Sequence, residues 1–170
     1  MTQQTYPSNS TLREHLSLAD LDELVRDLAA DEGAWAHLVR FGTDGDRWWT
    51  RLHGDDSVDV WLLTWLPGQA TDLHDHGDSA AAFAITRGRL EEVRAQRDGL
   101  VQSTVHQEGE VTWVPAGAVH DVAAVDVPAV SIHAYSPPLR WMTYFDVEGD
   151  GRLTATRLVH RGSRKTRETA

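Results

Sequence analysis

The feature that most restricts the fold is a series of short apolar alternations that fills the chain after Gly42. Turn residues separate these segments about every eight to twelve positions, which is typical of an all-β barrel or sandwich. We predict strands at residues 48–53, 57–65, 71–74, 80–86, 89–97, 100–107, 110–114, 120–124, 129–135 and 142–147, with 153–159 as a candidate edge strand.

The segment before these strands has a helical period. Between residues 17 and 42, apolar side chains recur at three- and four-residue spacing, which predicts an amphipathic helical extension, broken near residues 31–33 into two helices. Ser17 is a candidate N-cap, with Asp20 in the place of the capping-box glutamate. Residues 1–16 and 161–170 are polar, and we expect them to be a flexible N-terminus and a disordered tail.

Composition narrows the classes of function. A chain of 170 residues is expected to form one domain, and its formal net charge of -10 disfavours binding to nucleic acid. The absence of cysteine excludes disulfides and thiolate metal ligands, so imidazole or oxygen must hold any metal. The first six residues lack a basic and apolar signal pattern, and no long apolar run follows. We therefore expect a cytoplasmic protein without membrane contact.

Two blocks of histidines point to a metal site. His74 and His76 are one residue apart, and on an extended strand they would face the same side. Such a pair alone is weak evidence, because many His-x-His pairs bind no metal. A third histidine, His120, follows a Pro-x-Gly turn and comes at the entry to a predicted strand.

These blocks resemble the two motifs of the cupin superfamily. The first is matched by Gly68, His74, His76 and Gly88, and the second by Gly109, Pro115, Gly117 and His120. The resemblance implies an all-β cupin domain, a small β-barrel or jelly-roll, at residues 43–160, with His74, His76 and His120 as metal ligands. Ala81 stands where cupins carry a glutamate ligand. Three imidazoles would leave coordination positions of the metal ion open, and these suit an anionic, chelating substrate. A zinc ion also accepts three imidazole ligands.

Further residues resemble the cysteine dioxygenase type I family, thiol dioxygenases of this superfamily. The family's Ser-x-His-x-Tyr-Ser-Pro-Pro strand is matched at residues 131–138, and its metal loop at residues 74–79. The resemblance implies Fe(II) as cofactor, a small thiol and O2 as reactants, and a monomer or weak homo-oligomer. The small Ala81, where animal members carry a cysteine, suggests a bacterial member. Arg51 stands where the family's early strand carries its arginine for the substrate carboxylate.

The resemblance also implies roles for individual residues. Arg51 and Trp49 would contact the substrate, Tyr135 would contact both substrate and reacting oxygen, and His133 and Ser131 would hold Tyr135 in place. From the residues alone, Arg51 is read more readily as a solvent-facing strand residue, and a plain core tyrosine is the minor alternative for Tyr135. Ser136–Pro137 is either an ordinary turn or, by resemblance, a cis peptide bond.

Other aromatic residues lie outside the motifs. We expect Trp61, Trp65 and Trp113 in the core and Trp141 at the pocket entrance. The remaining histidines are expected to be exposed or incidental: His15, His37, His53, His106 and His160.

The leading hypothesis is oxidation of L-cysteine by O2 to cysteine sulfinate. Trp49 leaves the substrate open, because the family usually has a tyrosine two residues before the arginine. Alternatives are a dioxygenase for another thiol carboxylate such as 3-mercaptopropionate, a zinc-binding isomerase, hydrolase or sensor without redox chemistry, and a storage or scaffold cupin.

Overall fold

The helices and strands follow the apolar periods of the sequence closely. The computed structural model describes residues 15–42, 45–95 and 101–160. Most of the expected flexible N-terminus 1–16, the expected tail 161–170 and one end of each strand predicted at 89–97 and 100–107 lie outside the described part. Two α-helices come first, α1 at Leu18–Ala30 and α2 at Glu32–Trp35, and a 3₁₀ turn follows at Ala36–Leu38. The strands are β1 Trp48–Gly54, β2 Asp59–Trp65, β3 His74–Asp75, β4 Ala80–Arg87, β5 Arg89–Ala95, β6 Val101–Gln107, β7 Val111–Val114, β8 His120–Ala124, β9 Ala129–Ser136, β10 Trp141–Val147 and β11 Leu153–His160.

The strands form two antiparallel sheets. One has five strands in the order β1-β2-β9-β4-β7, and the other has six in the order β11-β10-β3-β8-β5-β6. Strands distant in sequence lie side by side, as β2, β9 and β4 do, so the chain crosses between the sheets. This arrangement confirms the predicted all-β fold with a helical N-terminal extension.

Helix α1 covers the outer face of the five-stranded sheet. A capping box starts it: the Asp20 N–H donates to the Ser17 hydroxyl, and the Ser17 N–H donates to the Asp20 carboxylate at 2.8 Å. Leu21 and Val25 are fully buried against that sheet, where they join a core cluster that includes Val60 of β2. The opposite, inner face of the sheet is thereby left for the functional site.

Strand β9 shows how the two faces divide. All eight of its residues are buried, because α1 lies on one side and the second sheet on the other. Ile132 and Ala134 belong to the cluster under α1, whereas Tyr135 belongs to the inner cluster with Phe83 of β4. Since strand residues alternate between faces, Ser131 and His133 share the inner face with Tyr135.

Three sequence predictions differ from the structure in instructive ways. The strand predicted at 71–74 begins only at His74, because Asp72 has a φ of 64°, in the left-handed region, which interrupts an extended chain. The strand predicted at 57–65 begins at Asp59, because the Asp55 carboxylate accepts from the Ser57 and Val58 amides and forms a turn. The prediction of Trp113 in the core is wrong, since that side chain is 48% exposed.

Candidate metal centre

The three histidines of the two sequence blocks meet in the six-stranded sheet. His74 of β3 pairs directly with His120 of β8, and His76 follows β3 within two residues. All three side chains are buried. Their Nε2 atoms converge, with His76 at 3.1 Å from His74 and 3.4 Å from His120. The ligating atoms of the three side chains lie within 4.8 Å of one another.

These spacings fit a single metal ion. Metal–imidazole bonds of about 2.1 Å place two ligand nitrogens about 3.0–3.4 Å apart, for octahedral to tetrahedral angles. A set of three imidazoles suits Fe(II) and Zn(II) by donor chemistry. The residues present therefore fit a metal ion bound by three histidines, as the sequence motifs predict.

Hydrogen bonds hold two of the rings with Nε2 free for a metal. The Nδ1 of His74 donates to the backbone carbonyl of Asp72 at 2.8 Å, and the Nδ1 of His120 donates to the Glu92 carboxylate at 2.8 Å. A proton on Nδ1 leaves the lone pair on Nε2, which points into the cluster. The Nδ1 of His76 is buried and has no hydrogen-bond partner among the described residues.

Burial keeps the His74 and His76 imidazoles neutral. Desolvation lowers the pKa of His74 to about 3, and the charge on His120 adds to the effect. Desolvation also lowers the pKa of His76 well below its usual range. Neutral imidazole is the form that binds metal, so both side chains are ready ligands at neutral pH.

Glu92 is a member of the site that the sequence analysis missed. Its carboxylate is 2% exposed and accepts from His120, from the His106 Nε2 at 3.0 Å and from Arg94 at 3.0 Å. Burial raises the pKa of this carboxyl, but the three donors outweigh burial and lower it below the usual value. The site therefore has a buried anion behind His120, although no carboxylate stands at Ala81.

Two residues of this cluster can be compared with the sequence analysis. Glu92 follows the buried Leu90 by two residues on β5, so strand alternation could have placed it on the inner face. His106, expected to be exposed or incidental, is instead half-buried and bound to Glu92, because β6 pairs with β5 next to it.

The row Ser131, His133 and Tyr135 lies beside the histidine cluster. The Ser131 hydroxyl donates to the His133 Nε2 at 2.8 Å and accepts from the Trp65 indole at 2.9 Å. The His133 ring stacks on Phe83, and burial lowers its pKa to about 3. The Tyr135 ring packs edge-on against the His76 ring, with 5.0 Å between centroids. Tyr135 is thus the member of the row next to the metal ligands, and its ring lies 6.4 Å from that of His133.

Arg51 and Trp49 lie on β1, at the edge of the same sheet. On the neighbouring strand β2, Trp61 lies opposite Arg51 and Leu63 lies opposite Trp49. Both partners pack against the inner cluster. The Arg51 guanidinium forms an ion pair with the buried carboxylate of Asp59, while its own side chain is 47% exposed. Trp49 is 59% exposed and packs edge-on against Trp61. The structure thus places both residues at the rim, outside the cluster of buried histidines.

Arg47 is a second functional candidate that the sequence analysis missed. Its guanidinium lies over the Trp65 ring, 4.6 Å from the centroid, and its Nη1 is buried without a hydrogen-bond partner among the described residues. Its charge contributes to the lowered pKa values of His74 and His133. The sequence signal for Arg47 was its spacing. Arg47, Trp49 and Arg51 occupy every second position, as side chains on one face of an extended segment do.

A cavity of about 250 Å³ reaches the cluster from outside. His76 lines it, together with Ser79, Pro137 and Trp141. The Ser136–Pro137 peptide bond at its edge is cis.

Within the described residues, no helix is long and apolar enough to cross a membrane.

Acid should destabilise the metal-free protein. The pKa values of His74 and His133 are about 3 in the fold, against 6.5 without it, so the unfolded chain binds more protons below pH 6.5. Stability contributed by these neutral side chains is then present above pH 6.5 and is lost as the pH falls towards 3. The melting temperature of the apoprotein, followed from about pH 7.5 to about pH 4.5, should drop steadily below about pH 6.5. A flat profile across that range would contradict the buried neutral state.

Two curated relatives carry the same name. The chain is 25% identical to cysteine dioxygenase type 1 of Danio rerio over 78% of its own length and 72% of the relative's. It is 23% identical to the Homo sapiens enzyme of the same name over 86% and 78% of the two chains.

Solved structures show the fold. A protein from Thermus thermophilus aligns with a TM-score of 0.54 at 21% identity, over 61% of this chain and 93% of that one. A cupin superfamily protein from Desulfitobacterium hafniense aligns with a TM-score of 0.52 at 16% identity, over 61% and 87%. The family model described as "Cysteine dioxygenase type I" matches residues 10–148. The chain therefore belongs to the cysteine dioxygenase type I family.

Proposed function

We propose that this thiol-oxidising enzyme is an Fe(II) dioxygenase whose substrate is L-cysteine and whose product is cysteine sulfinate. The observation that carries the proposal is the set of three buried histidines beside Tyr135, a cluster that includes no carboxylate within the described residues. The balanced reaction adds both atoms of O2 to the thiol sulfur, and the thiol proton passes to the sulfinic acid.

His74, His76 and His120 would hold the iron. When bound, Fe(II) supplies the redox chemistry with O2 and lowers the pKa of a coordinated thiol. Because the three protein ligands are neutral, they leave the positive charge of the ion to be balanced by an anionic substrate. A thiol that also carries a carboxylate meets this need.

The protein's own residues position the reactants. The Tyr135 hydroxyl is proposed to donate a hydrogen bond to the substrate carboxylate or to oxygen at the sulfur. Trp65, Ser131 and His133 form a buried chain of hydrogen bonds on the same face, and we propose that it fixes the wall against which Tyr135 stands. Burial of this wall keeps bulk water from the reacting sulfur.

Arg51 and Trp49 are the substrate contacts that the family resemblance implies, and we keep them as proposed contacts at the rim. Arg51 is engaged by Asp59, so a carboxylate would compete with Asp59 for the guanidinium. Another small thiol carboxylate, such as 3-mercaptopropionate, which lacks the amino group of cysteine, is the alternative substrate.

An O2-electrode screen tests the proposal. Fe(II) protein, prepared without oxygen, is given cysteine, 3-mercaptopropionate, cysteamine or mercaptosuccinate, and O2 uptake and sulfinate are measured together. We expect the fastest uptake with cysteine. If O2 uptake is fastest with a different thiol acid, that acid is the substrate, and the proposed type of reaction is retained. Zinc in the purified protein without thiol-dependent uptake would instead favour a non-redox cupin.

A further inference from the structure

We infer that Tyr144 is a positioning residue for the metal: its ring, held by Arg157, packs against His74 and helps to retain the bound ion. This assignment rests on the proposed function in one respect, since it takes the three histidines to hold a metal ion. It concerns a residue that belongs to neither of the two histidine blocks.

The backbone gives His74 little support. Strand β3, which carries His74, has only two residues, and Asp72 just before it has a φ of 64°, outside the extended region. The Asp72 carbonyl accepts from the His74 Nδ1 at 2.8 Å. One hydrogen bond at the edge of the ring fixes one atom, so contacts on the ring faces must set its tilt.

Tyr144 lies in the row of side chains that supplies such a contact. In the six-stranded sheet, β10 lies between β3 and β11. Tyr144 is directly opposite His74 on one side and directly opposite Arg157 on the other. Residues directly opposite each other in an antiparallel pair point to the same face of the sheet. Tyr144 therefore stands between the histidine and the arginine.

Two printed contacts fix the Tyr144 ring in this place. Its centroid lies 5.8 Å from that of the His74 ring, with 37° between the planes, which is within the range of favourable ring pairs. The Arg157 guanidinium lies over the other ring partner, 4.1 Å from the Tyr144 centroid, at the distance of a cation–π interaction. The tyrosine is thus held by a cation while it packs against the imidazole.

Tyr144 also separates His74 from water. A surface cavity of about 590 Å³ is lined by Tyr144, by Arg157 and by Asp72, the residue that holds His74. His74 itself is only 2% exposed. Loss of the tyrosine ring would extend this cavity towards the imidazole. A histidine that can change its tilt, with water beside it, should release a bound ion more readily.

The test is the rate at which the Zn(II) protein loses its metal to excess EDTA, measured without thiol or O2. Tyr144→Leu should release zinc at least about tenfold faster than the wild type, the usual effect of removing a residue that supports a metal ligand. Tyr144→Phe keeps the ring and should stay within about twofold of the wild type. This rescue distinguishes packing of the ring from any role of the hydroxyl.

A matched control and a second variant complete the design. Phe145→Leu removes the next aromatic ring on β10, which lines the same cavity, and should leave the release rate within about twofold. Arg157→Gln should speed release about two- to fivefold, as expected for loss of an exposed cation–π contact. Loss of a positive charge alone would slow the release of a cation, so the sign of this change reports the ring contact.

The assignment is overturned if Tyr144→Leu releases zinc as slowly as the wild type, or if Tyr144→Phe or Phe145→Leu is as fast as Tyr144→Leu. Circular dichroism of the metal-free variants checks folding. If Tyr144→Leu does not fold, Arg157→Gln decides, and an unchanged or slower release by that variant overturns the assignment. A wild-type protein that binds no zinc overturns the metal site and this assignment together. Zinc retention that depends on Tyr144, in a protein whose iron form oxidises no thiol, refutes the proposed reaction alone.

Discussion

Replacement of His120 by alanine should remove the metal and abolish thiol oxidation. The variant is expected to retain less than about a tenth of the wild-type iron, because two imidazoles rarely hold a divalent ion without a third ligand. The change also leaves the buried Glu92 carboxylate without one of its donors, so some loss of stability is expected. Iron content per chain, measured after anaerobic loading, is the direct readout.

A matched control separates metal loss from unfolding. His53→Ala removes an exposed histidine on β1 that contacts Asp55 at 3.6 Å, and it should keep full iron content. Circular dichroism of His120→Ala should show the same strand content as the wild type. Full iron binding by a folded His120→Ala protein would mean that the metal lies elsewhere.

Replacement of Glu92 by glutamine should weaken metal binding by about 10- to 100-fold, the usual effect of removing a carboxylate behind a ligating histidine. Glutamine keeps the shape of the side chain but loses the negative charge that faces His120, His106 and Arg94. The His120 imidazole then becomes a poorer electron donor. Chelator competition with the Fe(II) or Zn(II) protein measures the affinity.

Glu91→Gln is the control for this change. Glu91 is the adjacent residue on β5 and accepts from Ser103 at the protein surface rather than from a ligand. Its replacement should leave metal affinity within about twofold of the wild type. Equal affinities for Glu92→Gln and Glu91→Gln would show that the buried carboxylate does not tune the site.

The histidine cluster that could hold a metal was predictable from sequence because its geometry is local. His74 and His76 are one residue apart, and turn glycines on either side fix where the extended segment lies. His120 was placed by the Pro-x-Gly turn before it. The helix start was equally local, since Ser17 and Asp20 cap each other across one turn.

The residues around the ligands were missed because they depend on contacts between distant segments. Glu92 reaches His120 only because β5 pairs with β8, and it reaches His106 because β6 lies on its other side. Arg47 precedes its strand and is identified as interior only by its position over Trp65. Trp113 has the large apolar side chain expected of a core residue. It nevertheless lies on an exposed face of β7, the last strand of its sheet.

Oxygen labelling tests whether both oxygen atoms of the product come from O2. Fe(II) protein and L-cysteine are mixed under ¹⁸O₂ in ordinary water, and the product is analysed by mass spectrometry beside a measurement of O2 consumed. We predict cysteine sulfinate with both sulfinate oxygens labelled and one O2 used for each sulfinate formed. Sulfinate oxygens from water, or cystine as the main product, would contradict it.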